Sequence, residues 1–297
     1  MAWTKAETGG VDWVRLMPGL FVVLWSTGFI GAKFGLPYVE PLTFLLIRLS
    51  IVAAVLGLVG VALRAPWPKR PIDALHVSVA GVLVHGVYLG CVFKAISLGL
   101  PAGVSALVVG LQPLLTAALV GPLLGERVSG RQWAGFALGL AGVLLVVWEK
   151  LALDPGYGAG LALSVVALLG ITAGTLYQKR FCSGMDLRTG TAIQYAATSA
   201  LLLPLALALE TMEVRWTSEF VFALAWLSLV LSVGAIFLLF ALIRRGAAAR
   251  VASLFYLVPP VTALTAWALF DERLGLSALA GMGLAAAGVA LVNRQPR

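Results

Sequence analysis

At 297 residues, with 61% apolar and only 11% charged side chains, the chain lacks the polar skin that a water-facing fold requires. Its 21 Lys and Arg and 13 Asp and Glu, a net charge of +8, gather in short clusters between long apolar runs, which excludes disordered, collagenous and disulfide-rich classes and places the chain in lipid. The two cysteines, Cys91 and Cys182, offer neither a disulfide framework nor a metal-ligand spacing, so no metal or cofactor is expected.

A helix crossing the ~30 Å hydrocarbon core needs about 20 mostly apolar residues. Runs of that kind fall near 15–32, 42–63, 73–94, 102–123, 131–148, 157–178, 189–209, 219–242, 249–270 and 276–292. The expectation is an all-α polytopic membrane protein with ten transmembrane helices. The first run reads as a retained span and not a cleaved signal peptide, because its flank is not strongly basic, Lys33 closes it and further spans follow. Stretches such as Val104–Val109 and Leu138–Val147 lack the alternation of a β-barrel strand. If the spans alternate, one face collects most of the Lys and Arg, from Lys5 and Arg15 through Arg244, Arg245 and Arg250 to Arg297. The other face collects only Lys33, Lys94, Lys150, Arg215 and Arg273. Basic residues beside spans stay cytoplasmic, so both termini are expected inside, in the cell inner membrane. The positive charge is thus a topology signal, with no nucleic-acid partner implied.

Polar side chains are few within these runs, and burying a central charge costs ~2.5–3.5 kcal/mol on insertion scales, so such residues face the bundle interior or water. Span one carries Trp25, Ser26 and Thr27, span two Arg48, span three His85 and Tyr88, and span four Gln112 and Thr116. Thr172 and Thr175 follow on span six, Gln194 and Tyr195 on span seven, Ser228 and Ser232 on span eight, and Tyr256 and Trp267 on span nine. His85 and Tyr88 project from one helix face, as do Thr172 and Thr175. Each pair suits a cavity wall, and the bland alternative is hydroxyls bonded back to their own helix and a histidine satisfied by a neighbour. Arg48 lies about two turns into span two, where it either meets helix-end carbonyls or holds a carboxylate. Lys33 and Lys94 are expected to snorkel to the interface. Pro113 and Pro259 fall inside helical runs and free the carbonyls of Val109 and Phe255, as hinges or as static kinks. No Asp or Glu falls in the middle of a span. The interior therefore suits a carboxylate-bearing or zwitterionic solute better than a lipophilic cation.

The halves of the chain match at a constant offset of 146 residues. Pro113-Leu-Leu-Thr116-Ala117 aligns with Pro259-Pro260-Val-Thr262-Ala263, Glu126-Arg127 with Glu272-Arg273, Ala141-Gly142-Val143 with Ala287-Gly288-Val289, and Lys33 with Lys179. Shared Ala and Gly are cheap in a membrane protein, but rare Pro, Glu-Arg and Lys at one spacing are not. The chain reads as a tandem duplication, residues 1–148 and 149–297. Five helices per unit force the second unit to insert upside down. Inverted repeats characterise transporters that alternate access to a site at the repeat interface.

Gly125-Glu126-Arg127-Val128-Ser129, Gln132 before Gly135, Asp271-Glu272-Arg273-Leu274, Trp25-Ser26 and Arg48 resemble the EamA-type drug/metabolite transporter superfamily over nearly the whole chain. Within it the chain is similar to bacterial amino acid exporters, including the aromatic amino acid branch. The resemblance implies a central cavity drawn from spans one, three, four, six, eight and nine. The expected function is export of small amphipathic metabolites, amino acids above all, by a monomer or weak homodimer in the bilayer. The expected site comprises Trp25, Ser26, Arg48, His85, Tyr88, Gln112, Thr172, Thr175 and Tyr256. A multidrug or sugar/phosphate-ester carrier is the alternative within transport, and a membrane scaffold or receptor the alternative outside it. Glu126-Arg127 and Glu272-Arg273 are expected to stabilise helix connections. No enzyme is expected, because neither a metalloprotease His-Glu-x-x-His motif nor a buried acid pair occurs.

Overall fold

Without water to take up backbone N–H and C=O groups, a segment in lipid must satisfy them internally, which leaves helix as the default. The computed structural model describes residues 13–124, 129–153, 155–235, 238, 257–272 and 275–293. Among them the only β pairing is an isolated antiparallel bridge between Val39 and Val214. The helices are α1 (Trp13–Gly35), α2 (Pro41–Ala62), α3 (Pro71–Ser97), α4 (Ala102–Val109), α5 (Gln112–Leu124) and α6 (Gly130–Leu153). They continue as α7 (Gly158–Phe181), α8 (Leu187–Leu209), α9 (Ser218–Ala225, prolonged by a π-helical stretch Trp226–Ala235), α10 (Val258–Phe270) and α11 (Leu276–Asn293). Within α3, Val82–Tyr88 is also π-helical. Helices α1, α2, α3, α7 and α8 are each long and apolar enough to cross a membrane, and five shorter apolar helices accompany them among the described residues. Leu207, Leu209, Leu264, Leu269 and Leu276 stand exposed on helix surfaces, as side chains solvated by lipid do.

The duplication is visible in the helix boundaries. α1 ends at Gly35 and α7 at Phe181; α2 begins at Pro41 and α8 at Leu187; α5 is matched by α10 at both ends; α6 begins at Gly130 and α11 at Leu276. Each pair lies 146 residues apart. Two pairs of equivalent helices pack against each other, α2 on α8 and α6 on α11, and α4 packs on α10, the counterpart of α5. The equivalent pairs run antiparallel. Glu210, at the end of α8, accepts hydrogen bonds from Leu42 N and Thr43 N at the start of α2 (both 2.8 Å), while Thr189, at the start of α8, donates to Pro66 O beyond the end of α2 (2.7 Å). An antiparallel pairing of equivalent helices is what an inverted repeat requires.

Glu210 supplies the acceptor for orphan N–H groups at the α2 N-terminus, and Glu40 reciprocates across the same junction. Glu40 Oε2 accepts from Thr211 N and Thr211 Oγ1 (both 2.7 Å) and from Met212 N (3.2 Å). These bonds, the Thr211 hydroxyl foremost, hold the Glu40 carboxyl below its ordinary pKa. A lowered folded pKa stabilises the protein above the unfolded value of 4.5, and the contribution is lost as pH falls through the folded one. Glu40→Gln keeps an acceptor but cannot titrate. It is expected to lower the melting temperature at pH 7 and to flatten its decline between pH 5 and pH 3. Parallel wild-type and variant profiles in thermal melts of the detergent-purified protein would contradict this.

Span four departs from the expected single bent helix. α4 stops at Val109, the chain turns through Gly110 and Leu111, and α5 restarts at Gln112. Pro113 therefore sits in the first turn of a helix, where its missing N–H removes no bond. Pro259 occupies the same place in α10 and lines a small pocket with Gly110. The expected half of span nine before Leu257 lies outside the described residues, as do Phe255, Glu126, Arg127 and Arg273.

Candidate solute cavity

The principal cavity lies where both π-helical stretches pass the centre of the bundle. About 730 Å³ of space lies between the lining atoms, part of it open to the surroundings at the mouth. α1 contributes Trp25, Gly28 and Phe29; α2 contributes Arg48; α3 contributes Val84, His85, Tyr88 and Phe93; Ile171, Tyr195, Leu231 and Ser232 come from α7, α8 and α9. The two π-helical stretches, Val82–Tyr88 and Trp226–Ala235, overlap under the 146-residue shift. A π-helical turn is wider than an α-helical one and marks functional positions disproportionately. Here it turns His85 and Tyr88, and on the other side Leu231 and Ser232, toward the same hollow.

Among the described residues Arg48 is the only charged group on this wall, and it is 4% exposed. Its Nη2 donates to Ser232 Oγ (3.2 Å), and Ser232 Oγ donates onward to Leu227 O (2.9 Å). The buried Nε has no acceptor among the described residues. The His85 ring lies 4.3 Å from that of Tyr195, tilted by 60°. The rest of the lining is aromatic and aliphatic.

Four of the residues singled out from the sequence, Trp25, Arg48, His85 and Tyr88, therefore meet in one cavity. Ser26 is buried beside it but donates to Val22 O (2.7 Å) and contacts Val258 O (3.3 Å), which ties α1 to α10. Thr172 and Thr175 donate to the carbonyls one turn back, Leu168 O and Ile171 O (both 2.7 Å), the bond that short hydroxyls favour in lipid. Gln112 reaches Thr116 Oγ1 (3.1 Å) and Thr175 Oγ1 (3.4 Å), forming a separate polar contact between α5 and α7. Tyr256 lies outside the described residues. Trp267 is exposed on α10, away from the cavity. Tyr195 and Ser232 were visible as polar residues in apolar runs, but nothing in their spacing set them apart from Thr198 or Ser228.

One end of the cavity is closed in layers. Phe44, one turn before Arg48, packs edge-on against Phe93 and Phe220 with both ring centroids at 5.3 Å, and all three are fully buried. Beyond them lies the Glu40 and Glu210 junction. Alongside it, Lys33 Nζ donates to Glu272 Oε1 and lies 4.7 Å from the Phe270 ring, while Ala102 N donates to the same carboxylate oxygen (3.1 Å). Lys33 does not snorkel, and Glu272 does more than brace its own connection: it joins α10 to α1 and α4.

The sequence matches the EamA-like transporter family twice, over residues 16–148 and 158–294. The chain belongs to that family. It is 28% identical over 267 residues to a protein of Escherichia coli K12 described as a probable amino-acid metabolite efflux pump, covering 86% of each chain. It is also 28% identical over 286 residues to a probable terminal-alkyne amino-acid exporter of Streptantibioticus cattleyicolor, covering 93% of this chain and 92% of that one. A solved crystal structure superposes with a TM-score of 0.66 at 21% identity, over 95% of this chain and 96% of the other, which shows a shared fold. The two family matches agree with the helix boundaries in giving this EamA-like protein two repeats. It is a multi-pass membrane protein of a transporter family, and its cavity lies between those repeats.

Proposed function

We propose that the protein exports small amphipathic metabolites, amino acids and amino-acid derivatives with bulky apolar side chains, across the inner membrane by alternating access. The observation that carries the reading is the central cavity between antiparallel repeats, walled by Trp25, Tyr88 and Tyr195, with Arg48 as its one cation among the described residues. Ten crossings, with both termini cytoplasmic, accommodate the two five-helix repeats and the distribution of Lys and Arg. In that orientation the end sealed by Phe44, Phe93 and Phe220 is the outer one, and the cavity waits to be loaded from inside. The helix break at Gly110 and Leu111, facing Pro259, is the hinge about which the halves of span four swing. The two relatives described as a probable amino-acid metabolite efflux pump and a probable terminal-alkyne amino-acid exporter support the solute class. Sparse internal cations disfavour a phosphate-ester carrier, which needs several to neutralise its solute.

Transport of labelled phenylalanine, tryptophan and threonine into proteoliposomes of the purified protein tests the reading, with an alkylammonium drug as the contrasting solute. His85→Ala or Tyr88→Ala is expected to lower the initial rate about tenfold at unchanged expression, as loss of a solute-positioning contact does. Undiminished rates in both variants would remove this wall from the pathway. A membrane scaffold would move none of the solutes.

A further inference from the structure

The charge in the cavity is one-sided. Arg48 places a guanidinium at 4% exposure with no carboxylate partner among the described residues, one hydrogen bond to Ser232 and an unsatisfied Nε. A neutral hydroxyl does not neutralise a cation, and buried charges are ordinarily paired. The sequence places no acid at the middle of a span. Each of its 13 Asp and Glu lies in a connection, in the segment before α1 or within about one turn of a helix end, and residues 236–256, of which only 238 is described, contain none. The missing counter-anion must therefore arrive with the solute.

The same asymmetry bears on the amino group of an amino acid. An ammonium entering this cavity meets no carboxylate and shares a low-dielectric space with a fixed guanidinium, which repels it. The aromatic walls offer cation–π attraction, but that is small beside an unscreened like charge. Resting on the reading of this cavity as the solute site, we propose that Arg48 binds the carboxylate of a net-anionic organic acid with an aromatic or branched body. The preferred solutes are amino-acid derivatives whose nitrogen is acylated or replaced by an oxo group, and zwitterionic amino acids rank behind them. The guanidinium fork donates parallel N–H bonds to the two carboxylate oxygens, one of them from Nε, while Ser232 holds the fork in place. The apolar body lies against Trp25, Tyr88 and Tyr195.

Five compounds with one phenyl body separate the charge states: N-acetylphenylalanine, phenylpyruvate, phenylalanine, phenylalanine methyl ester and phenethylamine. Titration calorimetry on the purified full chain is expected to show the two anions binding at least tenfold more tightly than phenylalanine, and the ester and amine not binding. Arg48→Gln is expected to weaken both anions at least tenfold, and Arg48→Lys to restore part of the loss as a point charge without the fork. Wild-type gel-filtration profiles and melting temperatures in both variants exclude misfolding, which removal of an unpaired buried charge does not favour. The proposal is overturned if phenylalanine or its ester binds as tightly as N-acetylphenylalanine, if Arg48→Gln binds the anions like wild type, or if none of the five binds. Anion binding that depends on Arg48 in a protein that carries no solute across proteoliposomes would uphold the carboxylate site and defeat the transport reading alone.

Discussion

Leucine at Gly288 is expected to abolish folded protein, whereas leucine at Gly283 on the same helix leaves it intact. A Cβ at Gly288 would lie 2.6 Å from Gly139 N and closer still to Gly135 O; a Cβ at Gly142 would lie 2.8 Å from Ala285 N and press on Gly281 O. These neighbours are backbone atoms of the opposing helix, so no rotamer change relieves the clash, and α6 and α11 would have to part. The contact is reciprocal, because Gly142 and Gly288 are equivalent under the 146-residue shift, as are Gly135 and Gly281. In lipid no hydrophobic drive holds helices together, so close backbone approach at small residues supplies much of the association. Overpacking by a single methyl costs ~1–3 kcal/mol, and a leucine exceeds that. At Gly283 nothing lies within 4 Å of the added Cβ. Monodisperse gel-filtration peaks in detergent for Gly142→Leu and Gly288→Leu, matching that of Gly283→Leu, would show that this interface does not hold the repeats together.

Glu272→Ala carries the second large effect, a loss of about 2 kcal/mol of stability, below the 3–5 kcal/mol of a fully buried pair because Lys33 keeps a partly exposed side chain. The Glu272 carboxylate is nearly buried, accepts from both Lys33 and Ala102 N, and joins three helices drawn from both repeats at the sealed end of the cavity. Removing it leaves a cation with the Phe270 ring beside it, no acidic partner among the described residues, and an uncapped α4 N-terminus. Glu272→Gln retains an oxygen for Ala102 N and should cost less. Lys33→Met should cost less again, and the double variant Lys33→Met with Glu272→Ala should fall short of the summed single losses by about 1 kcal/mol, the coupling of a partly exposed pair. Strict additivity in thermal or denaturant unfolding would mean that the ion pair contributes nothing. Because opening that end parts α10 from α4, Glu272→Ala should also raise labelling of a cysteine introduced at Phe44 by a membrane-impermeant thiol reagent, measured against the background of Cys91 and Cys182.

Much of this was legible before any coordinate. Long apolar runs demand helices because lipid offers the backbone no partner, and the run from Leu187 to Leu209 could hardly be anything else. Two units carrying Pro113 and Pro259, or Glu126 and Glu272, at one offset imply a duplication, and α2 lying antiparallel to α8 is its geometric consequence. The absence of a mid-span acid was also readable, and the proposal about Arg48 rests on it. Trp25, Arg48, His85 and Tyr88 stood out because polar and amphipathic side chains in apolar runs seek the interior.

The sequence alone therefore determined the medium, the helical class, the repeat and the sign of charge in the interior, since each depends on composition or on a spacing along the chain. Only the tertiary structure decided which side of each helix faces the cavity. In α2 and α10 apolar residues surround the helix on every side, so periodicity has no polar face from which to measure an angle. The π-helical stretches at Val82–Tyr88 and Trp226–Ala235 then rotate the faces by an amount that an ideal 3.6-residue turn does not anticipate. Thr172 and Ser232 are alike as residues in an apolar run. Both donate to a carbonyl of their own helix, but Ser232 also accepts from Arg48, because the further partner of a short hydroxyl is whatever the neighbouring helix places within about 3 Å.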